Sequence, residues 1–129
     1  MSVKFFRLIN HAVIYLRTLL AGGPNYMIFF ITGRCNLRCS FCFYLDEIEN
    51  ADKERELTVE EISKIAKRSP TLYHITFTGG ETFLRDDFDK IVKLFYQFSN
   101  TRSVTITTNG TYPERVGKMI EEIAKSCPN

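Results

Sequence analysis

Three of the chain's four cysteines, Cys35, Cys39 and Cys42, crowd into the stretch ITGRCNLRCSFCFY at 31–44. Thiolates bind soft or borderline metals: iron–sulfur clusters, zinc or Cu(I). A structural zinc site takes four ligands, usually in pairs with two to four residues between. No second pair exists here, and neither His11 nor His74 has zinc-site spacing. Cys127 stands far off, at the tail of the last predicted helix, and reads as an incidental buried thiol. Three thiolates on one loop leave a metal centre with an open position, where a substrate or cofactor can bind. The crowding also argues against disulfides, because neighbouring cysteines cannot staple distant parts of a fold.

Two more stretches carry complementary groups. Gly79 and Gly80 allow the backbone to approach a ligand closely, and the Glu81 carboxylate suits an ammonium group. Thr107, Thr108 and Asn109 offer hydroxyls and an amide, which suit a carboxylate or a ribose. Singly both are weak signals, since Gly-Gly and Asn-Gly mark turns in many proteins. Together, beside an open metal position, they could grip a small zwitterion.

The elements around them alternate. Phe6, Ile9, Val13, Leu16 and Leu20 recur at helical spacing within 3–20, and Gly-Gly-Pro at 22–24 stops that helix. This N-terminal amphipathic helix with its linker is expected over 1–24, as a cover for an edge of the main domain or as a peripheral membrane contact through 3–20. YMIFFIT at 26–32 is a continuous apolar run between turn signals, as in a strand buried on both faces. A helix over 57–68 opens on a capping box of Thr58 and Glu61. A second strand over 73–78, a helix over 86–98, a third strand over 103–108 and a last helix from Pro113 follow. The last two helices carry Phe88, Ile91, Val92, Phe95 and Phe98, and Val116, Met119, Ile120 and Ile123, as their apolar stripes. Strand and helix thus alternate three times, which predicts an α/β fold with a parallel sheet. The cysteine loop, the Gly-Gly-Glu loop and the Thr-Thr-Asn loop all fall after strands, at the C-terminal rim where such folds place their chemistry.

The totals set bounds on partners. The 129 residues suffice for one domain with a core. A net charge of +2 offers no bulk attraction for nucleic acid or anionic lipid. The N-terminal apolar stretch is broken by Lys4, Arg7 and Arg17, so it is too short to span a bilayer and unlike a signal peptide, and a cytoplasmic location is expected.

With these residues in view, the chain resembles the radical S-adenosylmethionine superfamily. CNLRCSFC has that family's C-x3-C-x2-C spacing, TFTGGET resembles its Gly-Gly-Glu motif, and TITTNG resembles its third-strand signature. The form is closest to the branch of the molybdenum-cofactor cyclase and the SPASM-type peptide-modifying and sulfatase-maturing enzymes. The resemblance runs from about residue 26 to 125 and implies the first three strand–helix units of a partial (β/α)6 TIM-like barrel. It implies a core domain over 25–129 that is the N-terminal half of such an enzyme. It further implies that Cys35, Cys39 and Cys42 ligate a [4Fe–4S] cluster whose fourth iron is chelated by S-adenosylmethionine. Phe41 would lie near the adenine, and Gly79, Gly80 and Glu81 would hold the methionine amino group. Hydroxyls of the Thr107, Thr108 and Asn109 motif would reach the carboxylate or polar groups of a substrate. An electron donor such as flavodoxin or ferredoxin would reduce the cluster. The resulting 5′-deoxyadenosyl radical would take a hydrogen atom from a substrate that the sequence does not name.

Thr82 departs from the pattern, which has Pro after the Glu. Arg34 and Arg38 flank the cysteines, either to offset cluster charge or as solvated loop residues. Two other readings stand beside the radical enzyme: a non-catalytic iron–sulfur or zinc module, and an inactive structural remnant that pairs with another chain through its third strand.

Overall fold

A computed structural model describes residues 24–101 and 103–128, together with residues 9, 12, 13, 15–17, 19 and 20. The described residues before 21 are helical; the remainder of the helix expected over 1–24 lies outside the described residues. The ring of Tyr15 stands edge-on to Tyr73, with centroids 5.8 Å apart. No helix among the described residues is long and apolar enough to cross a membrane.

Strands β1 (Tyr26–Thr32), β2 (His74–Gly79) and β3 (Ser103–Ile106) form one sheet in the order β1-β2-β3. Both pairings are parallel, with Phe29 opposite Phe77 and Ile75 opposite Val104. Helices α1 (Leu45–Glu49) and α2 (Val59–Arg68) connect the first two strands, α3 (Phe88–Phe98) connects the next two, and α4 (Pro113–Ser126) follows β3. Two single-turn 3-10 segments, Lys53–Arg55 and Thr82–Leu84, punctuate the long loops. The α/β fold with three parallel strand–helix units is therefore present.

The core lies between the sheet and the helices. Ile31, Ile75 and Phe77 meet Ile62 and Ala66 of α2 and Phe88, Ile91, Val92 and Phe95 of α3. The α3 residues sit at i, i+3, i+4 and i+7, which makes one apolar stripe. Phe77 packs edge-on against both Phe88 and Phe95, at centroid distances of 5.4 and 5.7 Å, a favoured aromatic geometry. The capping box on α2 is complete: Thr58 N–H donates to Glu61 at 2.8 Å, and Glu61 N–H donates to Thr58 Oγ1 at 3.3 Å.

Several details differ from the sequence expectations. β1 is covered on one face, not both. Met27, Phe29 and Ile31 turn toward the helices, while Tyr26, Ile28 and Phe30 remain 50%, 56% and 42% exposed on the opposite, open face. In a barrel that face is filled by side chains from strands across the interior, and the described strands number three. β3 ends at Ile106, because Thr108 and Asn109 turn away to bind Glu81. α3 begins at Phe88 rather than 86. Asp87 occupies the N-cap position, but both its carboxylate oxygens accept from Arg85, at 2.8 Å each, so they do not cap the helix.

Candidate functional site

The loops after β1, β2 and β3 meet at one end of the sheet. Gly80 N–H donates to Thr32 O and Glu81 N–H to Arg34 O, both at 2.8 Å. These bonds pull the backbone of the second loop onto that of the first. A Cβ on Gly79 would lie 2.1 Å from Thr32 O, and one on Gly80 2.1 Å from Arg34 O. Gly79 also has φ of +130°, a conformation that excludes most side chains. The two glycines, expected to let the backbone approach a ligand, also let it approach the main chain leading into the cysteine loop.

Glu81 is the hub of the third loop. It is 1% exposed. Its Oε1 accepts from Phe83 N–H at 3.1 Å and Thr108 Oγ1 at 2.9 Å, and its Oε2 from Asn109 N–H at 2.6 Å. Three donors satisfy a buried carboxyl group that would otherwise be costly to bury. One lone-pair position on Oε2 remains, since a carboxylate accepts about four bonds. Thr107 serves the sheet instead: its Oγ1 lies 2.9 Å from Thr78 Oγ1, and its N–H donates to Phe77 O at 3.1 Å.

The cysteine loop bends at a turn in which Cys42 N–H donates to Cys39 O at 3.0 Å. All three thiols are free and half-buried. Cys35 Sγ accepts from Leu37 N–H at 3.5 Å and from the Asn109 side-chain amide at 3.7 Å. Phe41 and Phe43 are 89% and 88% exposed beside them. Among the described residues no three His, Cys, Asp or Glu side chains are gathered closely enough to hold a metal ion. The three cysteines therefore share one loop without converging; for irregular loops, ligation itself supplies the energy that draws thiolates together.

A charged knot under the loops was missed in the sequence. Arg34 forms a two-pronged pair with Glu56, at 2.8 and 3.1 Å, and Thr32 Oγ1 donates to the same carboxylate. The hydrogen bond it donates to Glu56 is the main reason the Arg34 guanidinium is held above its ordinary range, with burial opposing it. Arg85 is almost fully buried and donates to Ile31 O and Leu57 O at 3.0 Å each, as well as to Asp87. Arg34 is thus not the solvated loop residue that one reading expected; it is a structural clamp on Glu56. Arg38 is exposed and folds onto its own loop, donating to Cys35 O at 2.9 Å. Asn36 was also missed: it accepts from the Asn109 amide at 2.9 Å and donates to Thr111 Oγ1 at 2.8 Å. The only sequence signal for it is its place inside the cysteine motif.

The open face of the sheet runs below this rim. Tyr26, Ile28 and Phe30 line its β1 side, and His74, Thr76, Thr78, Ser103 and Thr105 line the β2 and β3 side. Tyr26 and His74 stack at 5.0 Å, and His74 Nδ1 lies 2.7 Å from Ser103 Oγ. Among the described strand residues, no Asp, Glu, Lys or Arg stands on this face.

Comparison with known proteins follows the same residues. The sequence profile of the Radical SAM superfamily matches residues 29–129. A GTP 3',8-cyclase of Clostridium botulinum is 33% identical over 104 residues, which covers 79% of this chain and 32% of the relative. The GTP 3',8-cyclase of Alkaliphilus oremlandii is 33% identical over 109 residues, 83% of this chain and 34% of the relative. A probable GTP 3',8-cyclase of Methanocella arvoryzae is 41% identical over 83 residues, 63% of this chain and 25% of the relative. The chain spans about a third of the length of the curated relatives it matches. Among solved structures, BtrN in complex with AdoMet and 2-DOIA matches with a TM-score of 0.49 and 21% identity, over 76% of this chain and 42% of that one. BtrN in an open conformation matches with a TM-score of 0.48 and 19% identity, over 76% and 45%.

Proposed function

Given that this chain belongs to the radical S-adenosylmethionine superfamily, we propose that it is the cluster-binding part of an enzyme that cleaves S-adenosylmethionine reductively and abstracts a hydrogen atom from a substrate. Members of this superfamily bind a [4Fe–4S] cluster and S-adenosylmethionine. The donor set here suits both. Cys35, Cys39 and Cys42 give three thiolates for a cluster that has four irons, which leaves one iron for the cofactor's amino and carboxylate groups. Bound there, cluster and cofactor supply one-electron cleavage of the sulfonium–carbon bond and hydrogen-atom abstraction.

The chain's own residues bind and shield. The remaining lone pair of Glu81 Oε2 accepts from the methionine ammonium, and the Gly79–Gly80 backbone lies alongside. Phe41, exposed and without a place in the core, offers a ring against which the adenine packs. Phe43 and Tyr44 exclude water from the rim, which bears on the cluster's potential. Thr107, Thr108 and Asn109 hold polar groups of the cofactor or substrate. Over the open face of the sheet, a substrate is recognised by aromatic contact and hydrogen bonds, since that face presents hydroxyls and an imidazole rather than ion pairs. A one-electron donor of the flavodoxin or ferredoxin class supplies the electron. Free thiols of this kind need a reducing compartment, so the cytoplasm is the proposed location.

One observation carries the reading: Asn109 touches both Glu81 and Cys35, so all three motif loops are knotted at a single rim. Anaerobic reconstitution tests it. The expected result is about four irons and four sulfides per chain, with an EPR signal of the reduced cluster that changes on adding S-adenosylmethionine. Tetrahedral zinc bound without sulfide would sink the proposal, as would an unaltered cluster in Cys39→Ala.

A further inference from the structure

We infer that Asn109 is a positioning residue that donates a hydrogen bond to the Cys35 thiolate and thereby raises the reduction potential of the cluster. The inference rests on the assignment of Cys35 as a ligand.

The orientation of the Asn109 amide is determined by its neighbours. Its Oδ1 accepts from Thr111 N–H at 3.0 Å and from Thr111 Oγ1 at 2.7 Å. Both lone pairs of that oxygen are then used, and the NH2 group must face the cysteine loop. One of its protons goes to Asn36 Oδ1 at 2.9 Å, and the other is aimed at Cys35 Sγ at 3.7 Å. Asn36 closes the ring by donating to Thr111 Oγ1 at 2.8 Å. Both amide protons of Asn109 and the hydroxyl proton of Thr111 are thereby assigned, and the arrangement leaves only an N–H, never an oxygen, for the sulfur. Leu37 N–H approaches the same sulfur at 3.5 Å. Cys35 is thus the one thiol of the three that accepts side-chain and main-chain donors among the described residues. The main chain of Asn109 is held separately, by Glu81, so the loop keeps its anchor when the side chain is changed.

A donor on a ligating sulfur withdraws charge from it and favours the reduced cluster, and hydrogen bonds to the sulfurs are among the levers that set cluster potentials. The electron comes from an external one-electron reductant, and no proton moves in the step. Asn109 therefore couples the third loop, which faces the cofactor, to the ease of reduction.

The test is a redox titration of the reconstituted chain, followed by the EPR signal of the reduced cluster, with iron and sulfide measured on each sample. Asn109→Leu keeps the side chain's shape and removes its donors. We expect the wild-type iron and sulfide content with a more negative potential, equivalent to about a fivefold loss in the equilibrium constant for one-electron reduction. Thr111→Val removes one of the two bonds that orient the amide and should shift the potential the same way by less. An unchanged potential in Asn109→Leu, with iron and sulfide retained, overturns the inference alone. If Asn109→Leu takes up no cluster, Thr111→Val and Asn36→Leu decide by the same comparison, and unchanged potentials in both overturn it. A wild-type chain that takes up metal without sulfide overturns the ligand assignment, and this inference with it.

Discussion

The carboxylate of Glu81 accepts the main-chain N–H of Asn109 at 2.6 Å across the gap between the second and third loops. Phe83 N–H and Thr108 Oγ1 share its other oxygen. Glu81→Ala would leave buried donors without partners, which costs more than the bonds themselves contribute. We expect a loss of about 3 kcal/mol in urea unfolding. Glu81→Gln should cost less, because the amide oxygen can keep the two bonds made by Oε1, although its NH2 then faces the Asn109 N–H. Hydrogen exchange at 107–111 should quicken in both variants; a loop exchanging at its wild-type rate would show that Glu81 is not its anchor.

The glycines separate into three kinds. Gly79→Ala and Gly80→Ala each drive a methyl group to 2.1 Å from a main-chain oxygen. Backbone cannot swing aside as a side chain can, so both variants should lose roughly 4 kcal/mol or more and fold poorly. Gly110 has φ of +72° but nothing within 4 Å of an added Cβ, so Gly110→Ala should cost about 1 kcal/mol from backbone strain alone. Gly117 sits in α4 with open space around it. Gly117→Ala should stabilise by roughly 0.5–1 kcal/mol. Thermal unfolding of the four variants checks the order; equal effects at Gly80 and Gly110 would refute the role given to the loop-on-loop approach.

Why some of this was legible from sequence and some not follows from distance along the chain. The cysteine spacing, the Thr58–Glu61 box and the α3 stripe at Phe88, Ile91, Val92 and Phe95 are local patterns, read within a few residues. Parallel strands followed from alternation, because successive strands separated by helices have little choice of direction. The pairs that hold the rim join residues far apart: Arg34 with Glu56, Glu81 with Asn109, Arg85 with Ile31 O. No local pattern announces them. The apolar run at 26–32 was misleading for a different reason. Ile28 and Phe30 look like core residues by type, but type alone does not say what covers a face.

The Arg85–Asp87 pair predicts an acid-sensitive fold. The hydrogen bond from Arg85 is the largest cause that holds the Asp87 carboxyl below its ordinary range, with burial opposing it and the Arg85 and Lys90 charges assisting. The folded value is depressed relative to the unfolded chain. The pair's contribution is therefore fully present above the unfolded carboxylate value of about 3.9 and is lost as pH falls through the lower folded value. Asp86, lowered chiefly by its hydrogen bond from Arg115, acts in the same direction. Urea midpoints measured from pH 6 down to 3 should fall for the wild type, and less steeply for Asp87→Asn, whose stability is already reduced at pH 6. Parallel curves for the two proteins would remove Asp87 from the account.

Thr82 carries the last prediction. It is fully buried at the first position of the turn Thr82–Leu84, and its Oγ1 has no hydrogen-bond partner. A buried hydroxyl that gives up water and gains no bond is a net cost of about 1–3 kcal/mol. Thr82→Val exchanges that hydroxyl for a methyl group of similar volume, so it should stabilise the fold by about 1 kcal/mol and raise Tm by roughly 5 °C. Thr82→Ser keeps the hydroxyl and loses the methyl, and should destabilise. Thr82→Pro tests the backbone rather than the side chain. Glu81 is the N-cap of this turn, and Pro suits the position that follows a cap because its fixed φ matches the turn. The restored Pro should therefore be tolerated or stabilising. Calorimetry on the three variants gives the order. A Thr82→Val protein that melts below the wild type would mean that the hydroxyl is satisfied in solution, and that the departure from Pro at this position has a polar purpose.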